Sequence, residues 1–399
     1  MRALTLTRPD DWHVHFRDGD LLAATVPPIA AIFRRVVAMP NLKPPVRTAA
    51  EALAYASRLR AAAPRQPQVK RDAGVRQPQA IRDDSLPRPG SAADLGDGDF
   101  SPGHGNFSPP CELARLEAER GSSEFTPLPS LYLTDHTTPE QLAEARHAGV
   151  IAAKLYPAGA TTHSADGVTD IARLGPALAA MAELGLVLQV HGETTDPDCD
   201  IFDREAVFVR DTLGPLIARH PTLRVVLEHV TSAAGVAFVR AAGANVAATV
   251  TPHHLEVERS DLFRGGLRPH LYCLPVPKTR ADRQALLDAV MTSHPRFFLG
   301  SDSAPHARHL KESACCAAGV YCGWATLSHY AETFDRLGAM DRLEAFASHF
   351  GADFYGVPRN ADTITLVRAP LVVPATLPLG SSEVVPYRAG ETLAWSVAP

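Results

Sequence analysis

Eight times along the 399-residue chain, a short apolar run of strand length ends on a polar or ionisable residue. Between these runs lie longer Ala/Leu/Arg/Glu-rich stretches of helical character. That alternation is the pattern of repeated β-α units around a parallel sheet. The runs end near His15, Asn41, Asp135, Lys154, His191, His229, His253 and Asp302. Several, such as RVVAMPN and RVVLEHVT, are almost continuously β-branched or aliphatic, as strands covered on both faces must be. The pattern predicts an α/β fold, a (β/α)8 barrel of the TIM type, with the polar run-ends sharing the rim that carries an active site. Segments Thr48 to Ala63 and Asp170 to Leu184, with Ala and Leu at helical spacing, predict part of the outer ring of helices.

One stretch breaks the pattern. Residues 65–124 hold seven Pro and seven Gly, with RQPQ twice, and few large apolar side chains. Such a composition buries too little surface to offset chain ordering, so the segment reads as a disordered insertion in an αβ loop, opposite the catalytic face. The expected domain organisation is one barrel built from 1–64 and 125–399. Hydrophobic residues make up 45% of the chain, and no apolar run approaches the roughly 20 residues of a membrane span. A net charge of −5 without a basic block argues against nucleic acid or an anionic membrane as partner and for a small molecule. The N-terminal residues lack the apolar core of a secretory signal, so a cytoplasmic chain is expected. The six cysteines contain no Cys-x-x-Cys pair and read as reduced thiols, the cluster at Cys315, Cys316 and Cys322 included.

His13 and His15 stand at i and i+2, which on a strand is one face. Alone, that pair is a weak signal. His191, His229 and Asp302 each close a further run, however, so all five converge on one rim with donors suited to zinc or a similar ion. Lys154 is one of only five lysines and sits in the apolar run VIAAKLYP. Burying its ammonium would be costly. It reads either as a strand-end lysine paired to a carboxylate or as a neutral amine converted by carbon dioxide to a metal-bridging carbamate. His253, His254, His270, His294, His309 and His329 are left without ligand roles, as solvated or hydrogen-bonded histidines.

Long ordered motifs carry a family resemblance: DDWHVHFRDGD (10–20), VVAMPNLKPPV (36–46), AAKLYPAGATTHS (152–164), VHGE (190–193), FDREA (202–206), EHVT (228–231), RPHLYCLP (268–275), GSDSAPHARHLKES (300–313) and AGETLAWSV near the C-terminus. The chain resembles the bacterial type II dihydroorotases of the amidohydrolase superfamily. The resemblance implies a metal-dependent hydrolase of a cyclic amide C–N bond, interconverting (S)-dihydroorotate and N-carbamoyl-L-aspartate in de novo pyrimidine (UMP) biosynthesis. It implies two divalent cations, Zn2+ by the family pattern, with His13, His15 and Asp302 on the first, His191 and His229 on the second, and carboxylated Lys154 bridging them. A metal-bridging hydroxide would be the nucleophile and Asp302 the general acid and base. Arg17, Asn41 and His306 would bind the substrate carboxylate, backbone groups of Leu274 and Ala318 the ring, and Thr161 and Thr162 would reach it from a mobile loop, 157–164. A homodimer is implied as well. The chain departs from the family pattern at His163, where Asn is expected, at Gly159, and in the order Cys315-Cys316-Ala317.

Overall fold

The computed structural model describes residues 3–64 and 125–398. The segment read as a disordered insertion, 65–124, lies outside the described residues, as does Cys111. A first strand, β1 (Ala3–Thr7), precedes eight parallel strands: β2 (Asp10–Val14), β3 (Arg35–Ala38), β4 (Thr126–Tyr132), β5 (Ala152–Leu155), β6 (Val187–His191), β7 (Arg224–Glu228), β8 (Val246–Val250) and β9 (Phe297–Leu299). Each pairs with the next in chain order. Just beyond β9 the ring closes on β2, where Asp302 N donates to His13 O (2.8 Å) and His15 N to Ser303 O (3.0 Å). This is the expected (β/α)8 barrel.

Four predicted run-ends overshoot the strands. β3 stops at Ala38, β4 at Tyr132, β8 at Val250 and β9 at Leu299, so Asn41, Asp135, His253 and Asp302 follow their strands rather than close them. There the backbone has left the hydrogen-bonding ladder. Asp302 lies in the left-handed region at φ 45°, as does His229 just after β7 at φ 44°. Few non-glycine residues adopt that conformation, and it is held at these positions by the surrounding structure.

Inside the barrel, Trp12, Val37, Met39, Leu128, Ile151, Val187, Val226 and Phe298 pack into one buried cluster with Tyr355, whose ring stacks on Trp12 at 4.3 Å. Gly351 is required beside them, because a Cβ there would overlap the Trp12 indole. The larger apolar layer lies between strands and helices. The first two helices are α1 (Leu22–Ile32) and α2 (Ala49–Ala62). α2 fits the expected Thr48 to Ala63, with Thr48 as cap: its hydroxyl accepts from Glu51 N, and the Glu51 carboxylate accepts from Thr48 N. The expected helix Asp170 to Leu184 is split into a 3-10 turn, Ile171–Leu174, and a helix, Gly175–Leu184, because Pro176 suits a first turn and not an interior. The sequence pattern did not place β1. It joins the distant strands Thr363–Val367 and Ser396–Val397 in a small antiparallel sheet outside the barrel. Among the described residues no helix is long and apolar enough to cross a membrane.

Candidate active site

β2 presents His13 and the following His15 on one side, with their Nε2 atoms 3.3 Å apart. Both reach the same Asp302 oxygen, His13 Nε2 at 3.2 Å and His15 Nε2 at 3.1 Å. His229 stacks edge-on between neighbours from two other strands, its ring 5.0 Å from His13 and 4.9 Å from His191. The donor atoms of His13, His229 and Asp302 lie within 4.8 Å of one another, and all three residues are buried. For bonds of about 2.0–2.1 Å to a tetrahedral ion, two imidazole nitrogens stand roughly 3.4 Å apart. The His13–His15 spacing matches that figure. His229 Nδ1 is buried with no hydrogen-bond partner. The residues therefore fit a divalent cation held by nitrogen and carboxylate donors.

The electrostatics favour the same use. Burial drives His15 down to about 3, and it lowers His13, with nearby Lys154 acting in the same direction. These imidazoles are therefore neutral at pH 7, the state in which they can ligate metal. Burial acts to raise the Asp302 carboxyl, but His13 and His15 outweigh it and hold the group well below the usual carboxylate range. Asp302 is an anion facing the cavity.

Lys154 does not line that cavity. It is fully buried behind it, with its ammonium against the Glu228 carboxylate, the pairing that the sequence left open beside the carbamate. The same Glu228 oxygen approaches His13 Nδ1 at 2.9 Å. Burial pushes the lysine well below its ordinary value, with Asp302 acting the other way. On the opposite side, His191 Nε2 donates to Glu193 at 2.8 Å. A carboxylate that grips one ring nitrogen fixes the tautomer and turns the other nitrogen toward an ion.

One cavity collects most of the expected residues: His13, His15, Arg17, Asn41, Thr161, Thr162, His191, His229, Leu274, Asp302 and Ala318. His306 stands behind it, its Nε2 lying 2.8 Å from Arg17 Nη2 and 2.9 Å from the Ala318 carbonyl. Arg17 is held in the left-handed region at φ 67°, with its Nε donating to Pro305 O and its own carbonyl accepting from Tyr55 OH. The 157–164 loop is closed over the cavity, since Asn41 Nδ2 donates to Thr162 O (3.0 Å) and Thr162 Oγ1 to Ala318 O (3.3 Å). His163, where the resemblance led to an expectation of Asn, adopts φ 55°, a conformation in which Asn and His are both enriched.

Sequence reading gave no role to Glu228, Glu193, Tyr156 or Cys273, though each sits inside a quoted motif. Tyr156 and Cys273 line the cavity. Among the histidines left without roles, His254 is hydrogen-bonded to Thr251 and Pro275, and His270 pairs with Glu312. His253 and His329 correct the reading: both are buried with neither ring nitrogen partnered. The cysteines described are free thiols, as expected.

A parallel barrel whose rim gathers four histidines, an aspartate and a buried lysine defines a class of metal-dependent hydrolases, and the chain belongs to the amidohydrolase family, whose profile matches residues 10–366. Within that family, full-length relatives carry the name dihydroorotase. The "Dihydroorotase" of Marinobacter nauticus is 48% identical over 398 residues, covering 100% of this chain and 99% of that one. Among solved structures, a Saccharomyces cerevisiae dihydroorotase in complex with 5-fluoroorotic acid superposes with TM-score 0.78 at 28% identity, covering 100% of this chain and 99% of the other. The Campylobacter jejuni dihydroorotase gives TM-score 0.77 at 29% identity, covering 100% and 98%.

Proposed function

We propose that the chain is a dihydroorotase, interconverting (S)-dihydroorotate and N-carbamoyl-L-aspartate in pyrimidine biosynthesis. The observation that carries the reading is one cavity that joins the His/Asp cluster to Arg17 and Asn41. A guanidinium and an amide beside metal donors match a small ring that bears both a scissile amide and a carboxylate.

His13, His15 and Asp302 would hold one divalent cation and His191 and His229 a second, Zn2+ in both places on this donor set. Such ions supply Lewis acidity at the amide carbonyl and make water a stronger acid. Lys154, whose pKa burial lowers, is the amine that carbon dioxide would carboxylate, its nitrogen bonding to the carbon and releasing its proton, which would add an anionic ligand to the set. Glu193 holds His191 by one ring nitrogen, and Glu228 stands 2.9 Å from His13 Nδ1, so carboxylates flank both rings on the side away from an ion. Arg17 and Asn41 orient the substrate through its carboxylate, with His306 buttressing the guanidinium. Asp302 takes the proton of the attacking water and delivers it to the departing amide nitrogen; in ring closure it does the reverse. The 157–164 loop, clasped to Asn41 and Ala318, excludes bulk water while this happens. The enzyme works on a small molecule in the cytoplasm, as a homodimer on the family resemblance, and the barrel of 1–64 and 125–399 carries all of this chemistry.

The test is chelation and reconstitution. The purified chain should lose dihydroorotate ring opening, followed by ultraviolet absorbance, when its metal is stripped, and regain it with Zn2+ and bicarbonate. Full turnover by a chain verified to be metal-free would refute the reading.

A further inference from the structure

A second ligand cluster lies beyond the family's metal set. His253, at the start of the short helix Pro252–Glu256, His254 and Cys273 place their donor atoms within 4.8 Å of one another, and all three are buried. His253 is 1% exposed, and both its ring nitrogens lack a hydrogen-bond partner. A buried polar group without a protein partner is costly unless a water or an ion satisfies it. Its neighbour is already aimed: Thr251 Oγ1 sits 2.8 Å from His254 Nδ1, turning Nε2 toward Cys273 Sγ at 3.5 Å. With bonds of about 2.1 Å to nitrogen and about 2.3 Å to sulfur, a tetrahedral ion separates these two donors by roughly 3.6 Å. The Pro275 carbonyl oxygen stands 3.1 Å from that nitrogen and 3.4 Å from that sulfur, where a fourth donor belongs.

We propose that His253, His254 and Cys273, with the Pro275 carbonyl, bind one soft divalent cation, Zn2+, at a site separate from the His13, His15, Lys154, His191, His229 and Asp302 set. The inference goes beyond the dihydroorotase reading and does not depend on it. A thiolate with two imidazoles selects Zn2+ or Cd2+ over Mg2+ or Ca2+. Burial keeps both imidazoles neutral, His254 at about 4, and hence ready to donate. Burial, with Asp302 acting in the same direction, pushes the Cys273 thiol well above its ordinary value, and the Lys311 ammonium, which braces the adjoining wall through the Tyr272, Ala317 and Gly319 carbonyls, acts the other way; the proton is displaced only as the metal–sulfur bond forms. Cys273 and Leu274 both line the substrate cavity. Occupancy therefore fixes the cavity wall at Cys273 and Leu274.

Cobalt reports the site directly, because the other ligand set holds no sulfur. The full-length chain loaded with Co2+ should show a thiolate-to-cobalt charge-transfer band in the near ultraviolet. Cys273→Ser should lose that band and bind one ion fewer per chain, whereas a Cys315→Ser/Cys316→Ser double variant should keep both. His253→Gln, which leaves the thiol in place, should weaken that ion's binding at least about tenfold, and it carries the test if Cys273→Ser fails to fold. No band in the wild type overturns the proposal, as does a band that survives Cys273→Ser or disappears with Cys315 and Cys316. So does unaltered binding in His253→Gln.

Discussion

Two side chains bear most of the chemical weight. Asp302 touches both His13 and His15 and faces the cavity as an anion, so replacing it removes the group that moves the proton. Asp302→Ala should lower kcat by about 10²–10⁴-fold while most of the bound metal stays on the remaining ligands; a rate like that of the wild type would remove Asp302 from the mechanism. Glu228 is the counter-charge of buried Lys154. In the metal-free, uncarboxylated chain, Glu228→Ala leaves that amine unpaired in the interior, which should cost about 3–5 kcal/mol. Urea denaturation measures it, and a loss below about 1 kcal/mol would show that the pair holds nothing together. His13, His15, Lys154, His191, His229 and Asp302 were legible in the sequence because each falls at or near the end of an apolar run. Glu228 and Glu193 were not, because their partners come from other strands or require knowing which ring nitrogen points where.

Elements set the accuracy with which those residues meet. The closed 157–164 loop rests on two side-chain hydrogen bonds, one from Asn41 and one from the Thr162 hydroxyl. Thr162→Ala removes the second, and the expected result is a KM for dihydroorotate raised about 5- to 10-fold, the equivalent of roughly 1 kcal/mol; an unchanged KM would show that closure does not depend on it. Helix starts were legible, since Thr48 three residues before Glu51 and Asp170 before Ala172 announce caps by residue type. Strand ends were not. The residues after β3, β4, β8 and β9 continue the same composition while the backbone turns off the sheet, and composition carries no record of φ.

Across the whole molecule, buried neutral histidines tie stability to pH. His329, buried with unpartnered nitrogens, is held at about 3 by burial, with Arg388 and His253 acting in the same direction, against an ordinary 6.5. The unfolded chain takes up a proton there below pH 6.5 and the folded chain does not, so this contribution is complete above 6.5 and is lost as pH falls toward 3. The slope is at most about 1.4 kcal/mol per pH unit. Between pH 6.5 and 5 the wild type should therefore lose up to about 2 kcal/mol more than His329→Gln; parallel acid limbs in the two proteins would place His329 in contact with solvent. The barrel itself was the most legible level, because eight apolar runs with helical spacers admit few other closures. The small sheet of β1 with Thr363–Val367 was invisible for the converse reason, its strands being short and more than 350 residues apart in sequence.

On the proposed function, Arg17 and Asn41 beside the histidine cluster recognise the carboxylate of a cyclic amide. That recognition is tested most directly by comparing kcat/KM for dihydroorotate with that for dihydrouracil, the same ring without the carboxylate, in the wild type and in Arg17→Met. The wild type should prefer dihydroorotate by about 10³-fold or more, the scale of a charge-paired contact of roughly 4 kcal/mol, and that preference should fall steeply in Arg17→Met with dihydrouracil unaffected. Equal turnover of the two rings, or a preference that survives the loss of Arg17, would contradict it.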